Sequence, residues 1–168
     1  MVLPAHHADA NALDHAGRTP LCYAAQNGDT TTISFLLRAG ADPKFDKSDR
    51  PVTNYAAING KTGALKTLLG NGADIVGETG NWLITTLHVV IGRGHRDTAL
   101  FILEQDKQND LLERKNVWDK TVPHNACEKG DTILVQELLK KGADLRPLDN
   151  SSRSALHWAS FSGVPPLI

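Results

Sequence analysis

Three histidines recur at similar intervals along the chain and are the first residues that suggest metal chemistry. They are His88, His124 and His157. Helices that stack on one another lie ~8–10 Å apart, whereas zinc–nitrogen bonds are only ~2.0–2.1 Å long. Histidines on successive stacked helices therefore cannot share an ion, and we expect each imidazole to hydrogen-bond nearby backbone and brace a turn. The isolated N-terminal pair His6-His7 does not predict a metal site.

The two cysteines, Cys22 and Cys127, predict neither a disulfide nor a nucleophile. They fall about three stacked units apart, at ~10 Å per step, well beyond the ~7 Å Cα separation that a disulfide tolerates. The pattern also places no histidine as a base for either thiol. Cys127 aligns with Ala25 and Ala57, so we expect it to be a small buried apolar residue.

Two glycine-rich stretches are similar to nucleotide-binding loops, but each lacks a required glycine. Before Gly60-Lys61-Thr62 the position for the first glycine of a phosphate loop holds Tyr55. In Gly92-Arg93-Gly94-His95-Arg96-Asp97 the third glycine of a dinucleotide fingerprint is replaced by Asp97. The carboxylates are scattered, without a pair suited to acid–base work. We therefore predict no enzyme activity, no catalytic residues, no metal site and no cofactor.

The overall composition argues against several classes of protein. The chain has 168 residues, with 18 basic and 19 acidic side chains and a net charge of -1, so no global charge favours nucleic acid or an anionic membrane. No stretch reaches the ~20 apolar residues of a transmembrane helix, and the N-terminus lacks the regions of a secretory signal. Only two cysteines fit a reducing compartment. We expect a cytoplasmic or nuclear protein that is not secreted, does not insert into membranes and does not bind nucleic acid.

An internal repeat predicts the elements that position these residues. The tripeptide Gly-Ala-Asp occurs at residues 40–42, 72–74 and 142–144. A second series of glycines has spacings between 32 and 36 residues and comprises Gly28, Gly60, Gly94, Gly130 and Gly163. A period of this length is typical of stacked repeat proteins.

One unit is predicted to contain a turn, a short helix, a second turn and a longer helix. Asp14-His15-Ala16-Gly17 is a turn sequence, and Thr19-Pro20 begins a helix that Gly28 ends. A second helix follows from about Thr31 and ends at Gly40. Isolated helices shorter than ~12–15 residues are marginal in water, so the units must stack to be stable.

This unit resembles the ankyrin repeat. The resemblance rests on Thr19-Pro20-Leu21-Cys22-Tyr23-Ala24-Ala25 and on related segments that begin at Thr85, Thr121 and Ser154, with a degenerate one at Pro51. It covers nearly the whole chain in register. It implies an all-α ankyrin-repeat solenoid of stacked helix-turn-helix units that are joined by β-hairpin-like loops.

On this register the chain has about five repeats, the last incomplete. We expect a remnant of a preceding repeat at 1–13, repeat 1 at 14–45, a degenerate repeat 2 at 46–79, repeat 3 at 80–115, repeat 4 at 116–148 and a partial repeat 5 at 149–168. Repeat 3 carries an extended loop at 104–115, for which we predict a longer polar hairpin. The prolines at 165 and 166 oppose a further helix, and polar capping repeats are missing, which indicates a fragment of a longer repeat protein.

The resemblance implies that a partner docks on the concave side, which is formed by the hairpin tips and the first helices. Carried over by position, the candidate partner-binding residues are Trp82, Trp118, Ile84, Arg93, Lys120, Arg18, Arg50, Asn59, Lys129 and Arg153. Trp82 and Trp118 share one tip position, and Trp is enriched at binding hot spots. The alternatives stay open: both indoles contact a partner, the loop at 104–112 folds back and covers one indole, or the hairpins lean together and bury both.

Two further expectations concern packing. Trp158, Tyr23 and Tyr55 share a different position of the repeat, and we expect them to be mostly packed between helices. Repeat 5 lacks its outer helix, so Leu156 and Phe161 should be exposed, and the ends should fray first because repeats stabilise their nearest neighbours.

We predict a non-catalytic protein–protein interaction module, a scaffold or adaptor, that binds a protein partner and is monomeric unless its exposed ends self-associate. The alternative is a regulatory or targeting ankyrin segment of a larger multidomain protein, such as a channel, a ubiquitin-ligase receptor or a tethered enzyme. A third hypothesis, a small-molecule or enzymatic role, would need a deep pocket with convergent polar groups.

Overall fold

The computed structural model describes residues 8–44, 46–47, 50–74, 78–79 and 84–163. Helices dominate these residues and come in pairs that follow the period of the sequence. Their bounds are α1 Pro20–Asn27, α2 Thr30–Arg38, α3 Val52–Ile58, α4 Thr62–Leu69, α5 Thr86–Gly92, α6 Arg96–Gln105, α7 Val122–Glu128, α8 Thr132–Lys140 and α9 Ala155–Phe161. Two short strands, β1 Glu78–Thr79 and β2 Ile84–Thr85, precede α5.

The short helices begin and end as their sequences dictate. Thr19 has extended backbone and Pro20 occupies the first turn of α1, where its missing N–H is not needed. Gly28 ends the helix in the left-handed region, with φ 79°. A Cβ at Gly28 would also lie 2.8 Å from Cδ of the flexible Lys61 side chain, so the left-handed backbone is the main reason for glycine at this position.

The helices form two rows. The first helices α1, α3, α5, α7 and α9 pack in series, and the second helices α2, α4, α6 and α8 pack in a parallel series behind them. Small residues such as Ala25, Ala57 and Ala126 are buried between the first helices and allow close approach, while Leu65, Ile102 and Leu138 fill the layer between the rows. The prediction of an all-α solenoid is confirmed.

The two strands before α5, β1 and β2, pair with each other. Glu78 pairs with Thr85 and Thr79 pairs with Ile84 in an antiparallel register. This pairing brings Ile84 to the side of the molecule on which the first helices lie.

The extended loop differs from the predicted polar hairpin. Residues 104 and 105 belong to α6, residues 106–115 form turns and irregular loop rather than paired strands, and Leu111 and Leu112 are buried in the core. Asp106 accepts hydrogen bonds from the backbone N–H groups of Asp110 and Leu111, which folds the loop inward. The hairpin prediction was wrong because it counted the polar residues and overlooked the two leucines.

The aromatic position also differs from the expectation in one repeat. Tyr55 is buried and Trp158 is half-buried, but Tyr23 is 41% exposed because α1 is the first described helix of its row and no described helix packs on its outer side. The exposure predicted for Leu156 and Phe161 is confirmed, at 49% and 76%. No helix within the described ranges is long and apolar enough to span a membrane.

Candidate functional site

Two adjoining hollows lie on the side formed by the first helices and the hairpin tips, and Trp118 lines both. The first is lined by Ile58, Ile84, His88, Val89, Gly92, Arg93, Asn116, Trp118 and Asn125. The second is lined by Trp118, Lys120, Asn150 and Arg153. We call the two together the Trp118 groove. Five of the predicted partner-binding residues, Ile84, Arg93, Trp118, Lys120 and Arg153, meet in it.

A tight turn holds Trp118 in place. The side-chain oxygen of Asn116 accepts from the backbone N–H groups of Trp118 and Lys120, at 2.9 and 3.1 Å. Asp119 completes the turn with a positive φ of 56°. The carbonyl of Trp118 then accepts from the backbone N–H of Asn150, at 3.0 Å, which ties this turn to the next one. The indole is 44% exposed on this fixed backbone.

The loop at 104–112 does not cover this indole. Its Asn109 donates to the carbonyl of Lys141, at 3.1 Å, and the neighbouring Glu113 accepts from the N–H of Asp144. Both partners follow α8, at the far end of the second helix row. The alternative in which this loop covers one indole therefore does not hold for Trp118. Trp82 lies outside the described residues, so its pairing with Trp118 stays a prediction.

Buried histidines fix the backbone beneath Lys120 and Arg153. Nε2 of His88 lies 3.1 Å from the carbonyl of Lys120, and Nε2 of His124 lies 3.2 Å from the carbonyl of Arg153. Nδ1 of each ring contacts the threonine at the start of its own helix, for His124 the N–H and the hydroxyl of Thr121 at 3.1 and 2.9 Å. Each ring thus bridges two repeats, and the predicted role of these histidines as turn braces is confirmed.

The hydrogen bonds of His124 require a neutral imidazole. A backbone N–H donates to Nδ1 of His124, so that nitrogen is an acceptor and Nε2 carries the proton that reaches the carbonyl. Burial lowers the pKa of His88 to about 4 and also lowers the pKa of His124. Both rings therefore remain uncharged at neutral pH, and neither is suited to be a general acid there.

Trp158 forms the floor beneath the two cations of the second hollow. Nζ of Lys120 lies 3.6 Å from the centre of its ring and Cζ of Arg153 lies 4.2 Å from it. The indole N–H donates to the buried carboxylate of Asp149, at 3.0 Å. Burial alone would raise the pKa of Asp149. Hydrogen bonds from the N–H groups of Arg153 and Ser151 and from this indole outweigh burial and lower that pKa to about 2.

The same arrangement of aspartate, arginine and aromatic ring recurs in the first two repeats. The hydroxyl groups of Tyr23 and Tyr55 donate to Asp14 and Asp46, each at 2.6 Å. The guanidinium groups of Arg18 and Arg50 lie 4.5 and 5.4 Å from the centres of those rings. This unit was not predicted, although an aspartate followed by arginine after four residues and an aromatic after nine recurs three times in the sequence.

Four predicted site residues lie outside the Trp118 groove. Arg18 and Arg50 belong to the aromatic units just described. The side chain of Asn59 donates to the carbonyl of Tyr55. Lys129 follows α7, is exposed and lines neither hollow.

The described residues hold no group of three or more histidine, cysteine, aspartate or glutamate side chains that could bind a metal. Cys22 and Cys127 are both buried as free thiols, as expected for Cys127. Burial raises the pKa of Cys127 to about 11, so the thiol stays protonated.

The stacked helix pairs and the hairpin tips define a class of protein. A family model for ankyrin repeats matches residues 1–79 and 87–167, and the chain belongs to this family.

Two curated relatives are similar to part of the chain. The chain is 33% identical over 85 residues to the B-cell lymphoma 3 protein homolog of Mus musculus, and the aligned segment covers 51% of this chain and 18% of that protein. The chain is 32% identical over 87 residues to the NF-kappa-B inhibitor delta of Mus musculus, and the aligned segment covers 50% of this chain and 26% of that protein. The matched segments thus span only a minor part of each relative.

Proposed function

We propose that this chain is a non-catalytic protein-binding module whose partner docks in the Trp118 groove. The observation that carries the proposal is a large, half-exposed indole on a fixed turn, shared by two adjoining hollows. Tryptophan is among the residues that contribute most to binding free energy. A surface that is already formed before binding loses little conformational entropy when a partner docks.

The surroundings of Trp118 support the same role. Ile84 and Val89 give the first hollow an apolar wall, and Arg93 is exposed at its edge. Apolar centres with polar edges are the common arrangement of protein interfaces. Membership of the ankyrin-repeat family supports docking on this side of the molecule.

A capture experiment with matched variants tests the proposal. Immobilised wild-type chain, Trp118→Ala and Phe35→Ala are incubated with extract, and bound proteins are quantified. Phe35 is the matched control because it is 50% exposed on α2, in the other helix row. We expect a partner that wild type and Phe35→Ala retain and that Trp118→Ala loses. With the purified partner, Trp118→Ala should weaken binding by about 2 kcal/mol or more.

Circular dichroism melting of both variants serves as the folding control, because each removes a side chain that is about half exposed. If the two variants retain every captured protein equally well, the Trp118 groove is not the docking site.

A second proposal concerns the identity of the partner. One relative is named as an inhibitor of NF-kappa-B, so we propose NF-kappa-B subunits as the first purified proteins to titrate. Saturable binding that Trp118→Ala weakens and Phe35→Ala does not would support this choice. Absence of binding would exclude this partner and leave the capture experiment as the test of the groove.

A further inference from the structure

The charges that line the Trp118 groove are all of one sign. Arg93 lines the first hollow, and Lys120 and Arg153 line the second, whereas no carboxylate of the described residues lines either. The other polar side chains are the neutral amides of Asn116, Asn125 and Asn150, and the ring of His88. The charged side chains that line the groove are thus all basic, although the whole chain has a net charge of -1.

Two of these cations are paired with nearby carboxylates. Oδ2 of the buried Asp149 lies 3.1 Å from Nε of Arg153, while Oδ1 of Asp149 accepts from the backbone N–H groups of Ser151 and Arg153. Glu128 contacts Nζ of Lys120 at 2.9 Å from outside the hollow. Asp119 lies 3.9 Å from Lys115.

Arg93 is the cation whose charge is most available. It follows α5, it is exposed, and it forms no ion pair with any residue that the structure describes. A guanidinium group binds a carboxylate through two parallel hydrogen bonds, which gives direction as well as attraction.

A polar hollow elsewhere on the molecule shows the opposite arrangement. It is lined by Arg96 together with Asp97 and Asp131. Nε of Arg96 lies 2.8 and 2.7 Å from the two carboxylate oxygens of Asp131. Its arginine is paired with Asp131, and Asp97 adds a second carboxylate, so this hollow offers no available cation to a partner.

We propose that the segment bound in the Trp118 groove is an acidic stretch of a protein partner that carries an apolar side chain. The apolar side chain would contact Trp118, Ile84 and Val89, and a flanking carboxylate would pair with Arg93, because Lys120 and Arg153 are already paired with Glu128 and Asp149. This inference rests on the proposed function and adds the chemistry of the partner to it.

An array of peptides with random sequence tests the inference and does not require the partner to be identified. The labelled chain is applied to the array, and the composition of the captured peptides is compared with that of the whole array. We expect severalfold enrichment of aspartate and glutamate beside an apolar residue. Capture should weaken as salt is raised, because the Debye length falls from about 10 Å at 0.1 M to about 3 Å at 1 M.

Two charge reversals sharpen the result. Arg93→Glu should lower the affinity for a captured acidic peptide on the order of tenfold, because attraction is replaced by repulsion. Lys129→Glu is the matched control, since it makes the same change of charge outside the groove and should alter affinity much less.

Three outcomes would overturn the inference. Captured peptides could be neutral or basic, or single-stranded DNA could displace the acidic peptide at equal concentration, which would indicate a general polyanion surface. The third outcome is that no peptide is captured. In that case a protein partner lost only by Trp118→Ala would still support the proposed function, so failure of the two proposals is distinguishable.

Discussion

Two junctions between neighbouring repeats differ in one buried side chain. Between α7 and α9, His124 is fully buried and both of its ring nitrogens are hydrogen-bonded, one to Thr121 and one to the carbonyl of Arg153. Between α3 and α5 the same position holds Asn54, which is equally buried, and neither atom of its amide has a hydrogen-bond partner among the described residues. Pro51 stands where Thr121 stands in the other junction, and it offers neither a hydroxyl nor an N–H.

The difference shows what the histidine contributes. An imidazole is long enough to connect the start of its own helix with a carbonyl of the next repeat, whereas an asparagine amide is shorter. A buried polar group without a partner costs about 1–3 kcal/mol. The α3–α5 junction is therefore less stable than the α7–α9 junction, and the Trp118 groove lies mainly on the braced side, where His88 and His124 hold the backbone of Lys120 and Arg153.

The largest effect is expected from His124→Ala. Loss of the ring leaves a cavity and unpaired polar groups at Thr121 and Arg153, so the free energy of unfolding should fall by about 3 kcal/mol. Urea unfolding followed by circular dichroism measures this change. The matched control is His157→Ala, because His157 is exposed and its ring contacts Ser154 of its own repeat. Equal losses in the two variants would contradict the brace.

Acidification should weaken the braced junctions next. The folded-state pKa of His88 is about 4, below its ordinary value of 6.5, so the unfolded chain binds more protons between these values. The contribution of the uncharged His88 ring to the free energy of unfolding is fully present above about pH 6.5. It is lost as the pH falls toward 4, with a loss of about 2 kcal/mol by about pH 5. Urea midpoints at these pH values measure it, and a His88→Asn variant that keeps the whole pH dependence would refute the assignment.

Restoring the missing brace should give a smaller change of opposite sign. The double variant Pro51→Thr, Asn54→His introduces both groups that His124 uses, so we expect stabilisation of about 1 kcal/mol. The single variant Asn54→His lacks the threonine and should gain less. A double variant no more stable than wild type would mean that the α3–α5 junction has no room for the ring.

The smallest effect is expected from Trp158→Phe. The substitution keeps an aromatic surface beneath Lys120 and Arg153 but removes the N–H that donates to Asp149. Asp149 retains its bonds from backbone N–H groups, so a loss of about 0.5 kcal/mol is expected in urea unfolding. A loss as large as that of His124→Ala would make the indole, and not the histidine, the main link at this junction.

Much of the fold could be predicted from the sequence because the repeat carries it. Thr19-Pro20 and Gly28 mark the two ends of α1, and the recurrence of the same residue types predicts each later helix. The histidine role was also predictable, since the spacing of stacked helices excludes a shared metal. The loop at 104–115 was not, because no other repeat shows how Leu111 and Leu112 would pack.

The candidate site was predicted less completely. Repeat register placed Ile84, Arg93 and Trp118 on one side, and they do line one hollow. Register alone does not reveal that Arg18 and Arg50 stack on Tyr23 and Tyr55, because side-chain contacts depend on the rotamers that the turns allow. Exposure of Trp118 likewise depended on where the loop at 104–112 folds.

The most direct test of docking in the Trp118 groove is a site-specific photocrosslink. A photoreactive amino acid is placed at Val117, which is 39% exposed beside Trp118, or at Gln136, which is exposed on α8 in the other helix row. We predict that the chain with the crosslinker at Val117 captures a protein partner and that the chain with it at Gln136 does not. Equal capture at both positions, or capture only at Gln136, would contradict docking in the Trp118 groove.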